Sequence, residues 1–257
     1  MQTHKSPRKK LAAIETVPIG AIAFKSVKCF LQLRLFRRCT VWCPTWTSLS
    51  FALLIFVAAF AAWFNYGESY LALTQRAPAE ILVVEGWIGL KGVGAAVDEF
   101  KHGDYRYIVC TGGFTANRWE DQPASFAEMA AAETIRLGVP RTNILVATAK
   151  ITESHRTFES AAAVWRTLQD RGINAMALNV FTLGPHARRS ALVFSKVNSP
   201  GVKIGVIGWL PAEYKDEPWW QSSDRSRELL DETVGYLYEL LLDSGRRSNS
   251  PQAASRN

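Results

Sequence analysis

The chain has 257 residues, of which 48% are hydrophobic and 21% are charged, so it is long and apolar enough for a folded domain with a buried core. Its net charge of +7 is unevenly distributed: residues 1–48 carry nine Lys and Arg against one acid, whereas the remainder carries 21 basic and 22 acidic side chains. A nucleic-acid-binding domain would place its basic residues on a folded face. Here they precede an apolar segment, which argues against nucleic acid as a partner.

That apolar segment, Leu49 to Phe64, contains no charged residue, and with Trp46 and Tyr66 at its ends it reaches 21 residues. A helix of about 20 residues crosses a hydrocarbon core of about 30 Å, and aromatic residues favour the two interfaces. A cleaved signal peptide would be shorter and would end in small residues. We therefore predict a transmembrane helix over residues 46–66, so that the lipid bilayer is a partner of the chain.

The basic residues before this helix predict its orientation. Residues 1–45 are expected to form a basic cytoplasmic arm, because Lys and Arg are retained on the cytoplasmic side. The domain that follows would then be extracytoplasmic, on a single-pass protein of the plasma (inner) membrane. An earlier apolar stretch, residues 17–36, is interrupted by Lys25, Lys28 and Arg34 and is typical of an interfacial amphipathic segment. If it crossed the membrane instead, the domain would return to the cytoplasm.

Residues 79–243 alternate regularly between apolar strand-like runs and helical patterns. The runs are followed by segments of helical spacing, which predicts right-handed crossovers and a parallel sheet covered on both faces. We predict an α/β fold: a doubly wound, mostly parallel five-stranded sheet (Rossmann-like), preceded by the transmembrane helix. Residues 244–257, rich in Ser, Arg, Asn and Gln, are predicted to be a disordered tail. The predicted strands are Ile81–Val84, Tyr107–Cys110, Ile144–Ala147, Met176–Thr182 and Val202–Ile207.

A short polar or aromatic cluster follows each predicted strand. In a parallel sheet these clusters gather at the carboxyl edge, where open α/β folds bind ligands. The sequence therefore predicts one site built from distant segments. The clusters are Glu85-Gly86, Thr111-Gly112-Gly113, Ser154-His155-Arg156-Thr157, Thr182-Leu183-Gly184-Pro185-His186 and the residues from Trp209 onward.

The order of these motifs resembles that of the SanA/YdcF/ElyC family of bacterial envelope proteins. The similarity covers roughly residues 79–208. It rests on Thr-Gly-Gly after a strand, a helix ending in Leu-Gly-Val-Pro at 137–140, Ser154-x-x-Thr-x-Glu-x-Ala, and Thr182-x-x-x-His-x-x-Arg. The resemblance implies an amino-terminal membrane anchor and a role in cell-envelope, peptidoglycan-related biogenesis. The ligand that it suggests is an anionic envelope precursor or lipid carrier.

This chain departs from the family pattern at Glu85-Gly86-Trp87, where a glycine-rich turn is common, at Ser160, where a second asparagine is usual, and at two further positions that bear on the ligand. Phe126 stands where an acidic residue follows the serine, and Arg156 stands where asparagine is usual. The first removes a metal ligand that the resemblance would imply, and the second adds positive charge. With only His102, His155 and His186 in the domain and no paired spacing, no metal site is predicted. The sequence indicates no particular cofactor.

The residue types in the clusters favour an anionic, phosphate-bearing ligand. Gly112 and Gly113 permit a sharp turn that exposes amide groups, although a tight turn without a ligand is an alternative. Arginine binds phosphate in a bidentate manner, and of Arg156, Arg188 and Arg189 we expect two to face the site. The predicted ligand-binding residues are Glu85, Thr111, Gly112, Gly113, Ser154, Arg156, Thr157, Thr182 and Arg189.

His186 is the predicted catalytic residue. It lies at a helix amino terminus, whose dipole disfavours the imidazolium, so a neutral imidazole able to accept a proton near pH 7 is expected. A structural, hydrogen-bonding histidine is the alternative. Cys110 ends a strand-like run and is interpreted as a small buried hydrophobic residue rather than a nucleophile. The aromatic segment Trp209 to Trp220 is either a surface over the site or a small satellite core.

Two classes of function remain open at this stage. The first is an enzyme that acts on an anionic envelope precursor, with His186 as the acid or base. The second is a membrane-tethered binding or regulatory module that recognises the same kind of ligand without converting it. The absence of an obvious nucleophile favours the second, whereas the convergence of histidine, arginine and threonine favours the first.

Overall fold

A computed structural model describes residues 44–114, 124–152, 155–197, 201–214 and 217–242. The chain divides into two compact units after Leu53, and the second unit contains the sheet. The predicted arm and tail, the 17–36 segment and Ser154 lie outside the described residues, apart from residues 44 and 45. The first described helix, α1, runs from Trp46 to Leu71.

The remaining elements alternate along the chain. Strand β1 (Thr74–Gln75) comes first, and β2 (Ile81–Glu85) is followed by α2 (Gly89–His102). Then come β3 (Tyr107–Gly112), α3 (Phe126–Arg136), β4 (Ile144–Thr148) and α4 (Arg156–Asp170). The series ends with β5 (Ala177–Leu183), α5 (Ala187–Val197), β6 (Lys203–Trp209) and α6 (Ser223–Leu241).

The strands form one sheet in the order β1-β6-β5-β2-β3-β4. Strands β2 to β6 all run parallel to one another, and only the short β1, which pairs with β6, is antiparallel in the described sheet. The predicted α/β fold with a mostly parallel sheet is therefore confirmed. The prediction of five strands is wrong, because the described sheet has six. The two-residue β1 is too short to show a period-two pattern and forms through pairing with Ile207 and Val206.

Both faces of the sheet are buried, as the unbroken apolar run of β2 requires. Ile81 and Val83 belong to one core cluster with α4 and α5, whereas Leu82 and Val84 belong to a second cluster with α2 and α3. Successive strand residues point to opposite faces, so one strand contributes to both clusters. After β4 the chain crosses back and forms β5 on the other side of β2. The strand order reverses at this point, so a crevice lies between the carboxyl ends of β2 and β5.

Helix α1 extends five residues beyond the predicted end of the membrane span. Its last turns belong to the folded domain, since Leu71 packs with Trp219 and Leu229 in a third core cluster that Trp63 and Phe64 also contact. Trp63 and Phe64 thus contact protein, as well as lying at the end of the apolar segment. Of the two interpretations of the aromatic segment, a surface over the site or a satellite core, the structure supports the second for Trp219. Its side chain is buried in this third cluster.

Candidate functional site

A cavity of about 740 Å³ lies at the carboxyl edge of the sheet. Its walls come from the residues after β2, β3, β4 and β5 and from one side of α6. Strand ends meet here because all four strands run in the same direction. The cavity therefore occupies the place where the sequence predicts a site.

The structure brings seven of the described candidate residues to this cavity and leaves two outside its lining. Thr111 is fully buried, and its hydroxyl donates to the carbonyl oxygens of Ala147 at 2.9 Å and Ser160 at 3.1 Å, so it joins β3 to β4 and α4. Thr182 is also buried outside the lining. The seven at the cavity are Glu85, Gly112, Gly113, Arg156, Thr157, His186 and Arg189.

The centre of the site is a group of four charged side chains, which we call the charge cluster: buried Glu85, His186 and Glu232, and partly buried Arg189. His186 Nδ1 lies 2.9 Å from Glu232 Oε1, and its Nε2 lies 3.4 Å from Glu85 Oε2. Arg189 donates to both carboxylate oxygens of Glu232, at 2.7 and 2.8 Å. Two carboxylates, one imidazolium and one guanidinium balance in charge, which is the usual condition for burying ions.

The carboxylates reverse the expected protonation of His186. Burial by itself would lower the pKa of the imidazole, but Glu85 and Glu232 outweigh burial and raise that pKa to about 9. The expectation of a neutral imidazole near pH 7 is therefore wrong. The helix-dipole argument considered only the local chain, and two full negative charges within hydrogen-bonding distance exceed a partial charge at a helix end.

The pKa values of the two carboxylates, Glu232 and Glu85, are likewise shifted toward the charged form. Burial raises the pKa of Glu232, but His186 and Arg189 lower it to about 2. For Glu85, burial likewise opposes ionisation, and His186, Thr182 and Ser190 together hold its pKa below the usual value. Ser190 Oγ donates to Glu85 Oε2 at 2.9 Å. The Thr182 hydroxyl lies nearby without reaching hydrogen-bond geometry to any described group.

Nδ1 of His186 also lies 3.0 Å from Arg189 Nη2. Both nitrogens are donors when the imidazole is protonated, so they share the Glu232 carboxylate rather than bonding to each other. On the opposite side of the ring, Thr157 Oγ1 lies 3.5 Å from Nε2, and Trp87 makes an edge contact with the imidazole at a centroid distance of 5.0 Å. These contacts together fix the position of the His186 imidazole.

Arg188 and Arg189 diverge although they are adjacent. Arg188 donates to the Tyr70 carbonyl at 2.7 Å and lies over the Tyr70 ring, away from the cavity. Arg189 is engaged by Glu232, with its side chain against Gly235, where an added Cβ would come within 3.0 Å of Arg189 Cδ. Arg156 is exposed at the cavity edge. Two of the three arginines therefore line the cavity, but only Arg156 is exposed there.

The glycines of the Thr-Gly-Gly turn have different roles. Gly112 has a φ of +149°, and a Cβ there would lie 2.8 Å from Cβ of Phe126, so this position requires glycine for both reasons. A Cβ at Gly113 would meet only the Lys150 carbonyl, at 3.8 Å. Gly112 thus packs the start of α3 against the sheet, and Gly113 leaves open backbone on the cavity wall.

Sequence reasoning missed Glu232, the partner that His186 and Arg189 share. A signal was present: Leu229, Glu232, Tyr236 and Glu239 recur at helical spacing, which places an acid on the core-facing side of α6. Ser190 and Trp87 were also missed. Cys110 is buried, and burial raises its pKa to about 11, which suits a packed thiol rather than a nucleophile.

No described group of three or more His, Cys, Asp or Glu side chains is arranged to hold a metal ion. Glu85 and Glu232 approach opposite nitrogens of His186, so a cation cannot be shared by all three in this arrangement. Fold and site together define the class: an α/β protein with an apolar helix and a ligand-sized cavity over a buried charge cluster. Comparisons with family models, curated proteins and solved structures find no match for the chain.

The protonation of His186 predicts that stability falls in mild alkali. Its folded pKa of about 9 lies above the roughly 6.5 of an exposed histidine. The extra proton therefore stabilises the fold fully below about pH 6.5, and this contribution declines as the pH rises through about 9. Urea unfolding of the full chain in mild detergent should give a lower free energy at pH 9.5 than at pH 6.5.

Two variants serve as references for this measurement. His186→Gln should flatten the pH dependence, whereas His102→Gln, which removes an exposed histidine, should leave it unchanged. An equal free energy of unfolding for the wild type at both pH values would show that His186 is neutral in the folded state.

Proposed function

We propose that the chain is a single-pass protein of the plasma membrane whose α/β domain is extracytoplasmic. The support is α1, which is 26 residues long with a mean hydropathy of 2.1 over its most apolar stretch, none of it buried against the rest of the protein. The basic arm before it favours a cytoplasmic amino terminus. The motif resemblance further supports a role in cell-envelope, peptidoglycan-related biogenesis.

Reporter fusions test the orientation. An enzyme reporter active only outside the cytoplasm, fused after Leu242, is expected to be active, and one that works only in the cytoplasm is expected to be silent there. The same two reporters fused after Thr45 should give the opposite result. Cytoplasmic activity of the Leu242 fusion would mean that the domain is on the other side.

We further propose that the cavity binds an anionic, phosphate-bearing envelope precursor. The observation that supports this proposal is the uneven distribution of charge on the cavity walls. Arg189 and His186 on one side are neutralised by Glu232 and Glu85. On the other side, Lys150 and Arg156 are exposed, and within the described residues neither forms an ion pair. The strand order supports a Rossmann-like grouping, in which this edge of the sheet is the ligand site.

The backbone beside Arg156 suits the same ligand. The backbone at Gly113 lies open on the cavity wall, and α4 begins at Arg156 with an amino terminus whose dipole attracts negative charge. The proposed position of the phosphate is therefore between Gly113, Lys150 and Arg156. Arg189, initially the expected phosphate ligand, is assigned instead to holding Glu232.

A phosphate titration of matched arginine variants tests this assignment. Arg156 is the first residue of α4, and Arg171 is an exposed residue at the other end of the same helix. Arg156→Gln should weaken binding of inorganic phosphate, and of phosphorylated envelope precursors, by roughly 10- to 100-fold, since one charge-assisted hydrogen bond contributes about 1.5–3 kcal/mol.

Arg171→Gln should bind as the wild type does, and both variants should melt at the wild-type temperature, because neither guanidinium forms an ion pair among the described residues. Equal phosphate affinity in all three proteins would assign the cavity to another class of ligand.

Binding without conversion is the function that the site supports best, because every charge in the cluster has a partner within the protein. The second candidate is an enzyme, favoured by the placement of the protonated His186 in the cavity wall. As an imidazolium it would act as an acid that protonates a leaving group, not as a base. Release of phosphate from a bound precursor by the wild type, lost in His186→Gln with binding retained, would favour the enzyme.

A further inference from the structure

Helix α6 carries an apolar stripe that no described part of the domain covers. Leu230, Val234, Leu237 and Leu241 are between 47 and 74% exposed. At 100° per residue, these four side chains fall within a sector of about 60°. Buried Arg225, Leu229, Glu232 and Glu239 lie on the other side of the helix. Contiguous exposed apolar surface of this kind marks a surface of interaction.

The stripe is flanked on one side by the contacts that α6 makes with α1. Trp63 Nε1 donates to Thr233 Oγ1 at 3.2 Å, and the rings of Tyr70 and Tyr236 meet at 6.2 Å. Arg225 donates to Glu68 Oε1 at 2.6 Å. All of these α1 residues lie at the carboxyl-terminal end of its apolar segment, where a membrane-spanning α1 leaves the bilayer. Helix α6 is therefore held at the level of the membrane surface.

On its other side the stripe borders the cavity. Val234 belongs to both, and Asp231, Gly235 and Tyr238 continue the cavity wall away from α1. Ile151, which is 80% exposed, also lines the cavity. Val234 therefore connects the stripe to the cavity wall.

We infer that the α6 stripe rests in the interfacial layer of the bilayer that α1 crosses, so that the cavity opens at the membrane surface. The occupant is the lipid bilayer, because the contacts with Trp63 and Tyr70 place the stripe beside the end of the apolar segment of α1. The inference rests on the membrane insertion proposed above. Exposed Arg227, Asp224 and Asp231 border the stripe and together carry a net charge of −1, so apolar burial provides the contact and zwitterionic lipid is sufficient.

The membrane contact determines from which side a ligand enters the cavity. A molecule carried in the membrane would reach the cavity with its polar end, while its apolar part stayed beside the stripe. A soluble molecule would have to enter at the same level from the headgroup region. The contact therefore selects for ligands that are themselves at the membrane surface.

Spin labels in phosphatidylcholine nanodiscs test this contact. Single cysteines are introduced in the full chain after Cys29, Cys39, Cys43 and Cys110 are replaced by alanine. Leu237→Cys reports on the stripe. Met176→Cys is the matched control, since Met176 is an apolar residue with 79% exposure at the opposite edge of the sheet. Phe56→Cys, from the 67% exposed Phe56 of α1, reports on insertion of the anchor.

A label at position 237 is expected to be relaxed by oxygen and shielded from a water-soluble nickel chelate, at a depth of about 5–10 Å. The label at 176 should show the reverse, and the label at 56 should lie deeper than 237. Far-UV circular dichroism checks that all three variants fold. A second stripe position, Val234→Cys, should repeat the result at 237.

Three outcomes overturn the inference, and they are distinguishable. Accessibility of 237 to the chelate, with 56 protected, means that the anchor is inserted but the stripe faces water. Strong coupling between labels at 237 on two chains means that a second copy covers the stripe. Accessibility of 56 to the chelate means that α1 does not cross the bilayer, in which case the proposed anchoring fails as well.

Discussion

Replacing Glu232 by glutamine is expected to lower the free energy of unfolding by about 3–5 kcal/mol, the typical cost of removing one partner from a buried ion pair. Glu232 is only 9% exposed, and it receives both Arg189 and His186. An amide of the same shape keeps the packing but removes the carboxylate that both cations contact directly. The pKa of His186 should fall in this variant, because one of the two carboxylates that raise it is lost.

The neighbouring Asp231 provides the matched control. It lines the same cavity from the same helix, but it is exposed and has no described ion-pair partner. Asp231→Asn should therefore change the free energy of unfolding by less than about 0.5 kcal/mol. Urea unfolding in detergent, monitored by circular dichroism, measures both variants. If Glu232→Gln were as stable as Asp231→Asn, the charge cluster would not contribute to folding stability.

Replacing Gly86 by alanine is expected to destabilise the fold by about 1–3 kcal/mol or more, because it forces atoms into a packed region. A Cβ at this position would lie 2.2 Å from the carbonyl oxygen of Phe126 and 2.7 Å from its carbonyl carbon. Both are backbone atoms at the start of α3, where Ser125 and Glu128 form a capping box. A side-chain rotation cannot relieve the clash, so β2 and α3 must move apart.

Gly94→Ala is the corresponding control within α2. No atom lies within 4 Å of its Cβ position, and alanine is the better helix former by about 1 kcal/mol. The melting temperature should fall for Gly86→Ala and stay level or rise for Gly94→Ala. A wild-type melting temperature in Gly86→Ala would mean that β2 and α3 are less closely packed than described.

The sequence alone predicted the order and approximate bounds of the elements because the signals for them are local. Apolar runs buried on both faces, such as Ile81 to Val84, appear as strands without any knowledge of their neighbours. The uncharged segment from Leu49 identifies the apolar helix by length and composition. Parallel strand direction then placed Glu85, Gly113, Arg156 and His186 at one edge, since connection rules leave few other arrangements.

The tertiary structure alone decided what those residues do. Glu232 is 46 residues from His186 in the chain, and their contact depends on how α6 packs, which no local pattern reports. That contact sets the charge of the imidazole and withdraws Arg189 from ligand binding. Thr111 became a link between strands, and Trp219 packed against α1, for the same reason. Side-chain environment is a property of the three-dimensional neighbourhood, because Coulomb interactions and burial act across space and not along the sequence.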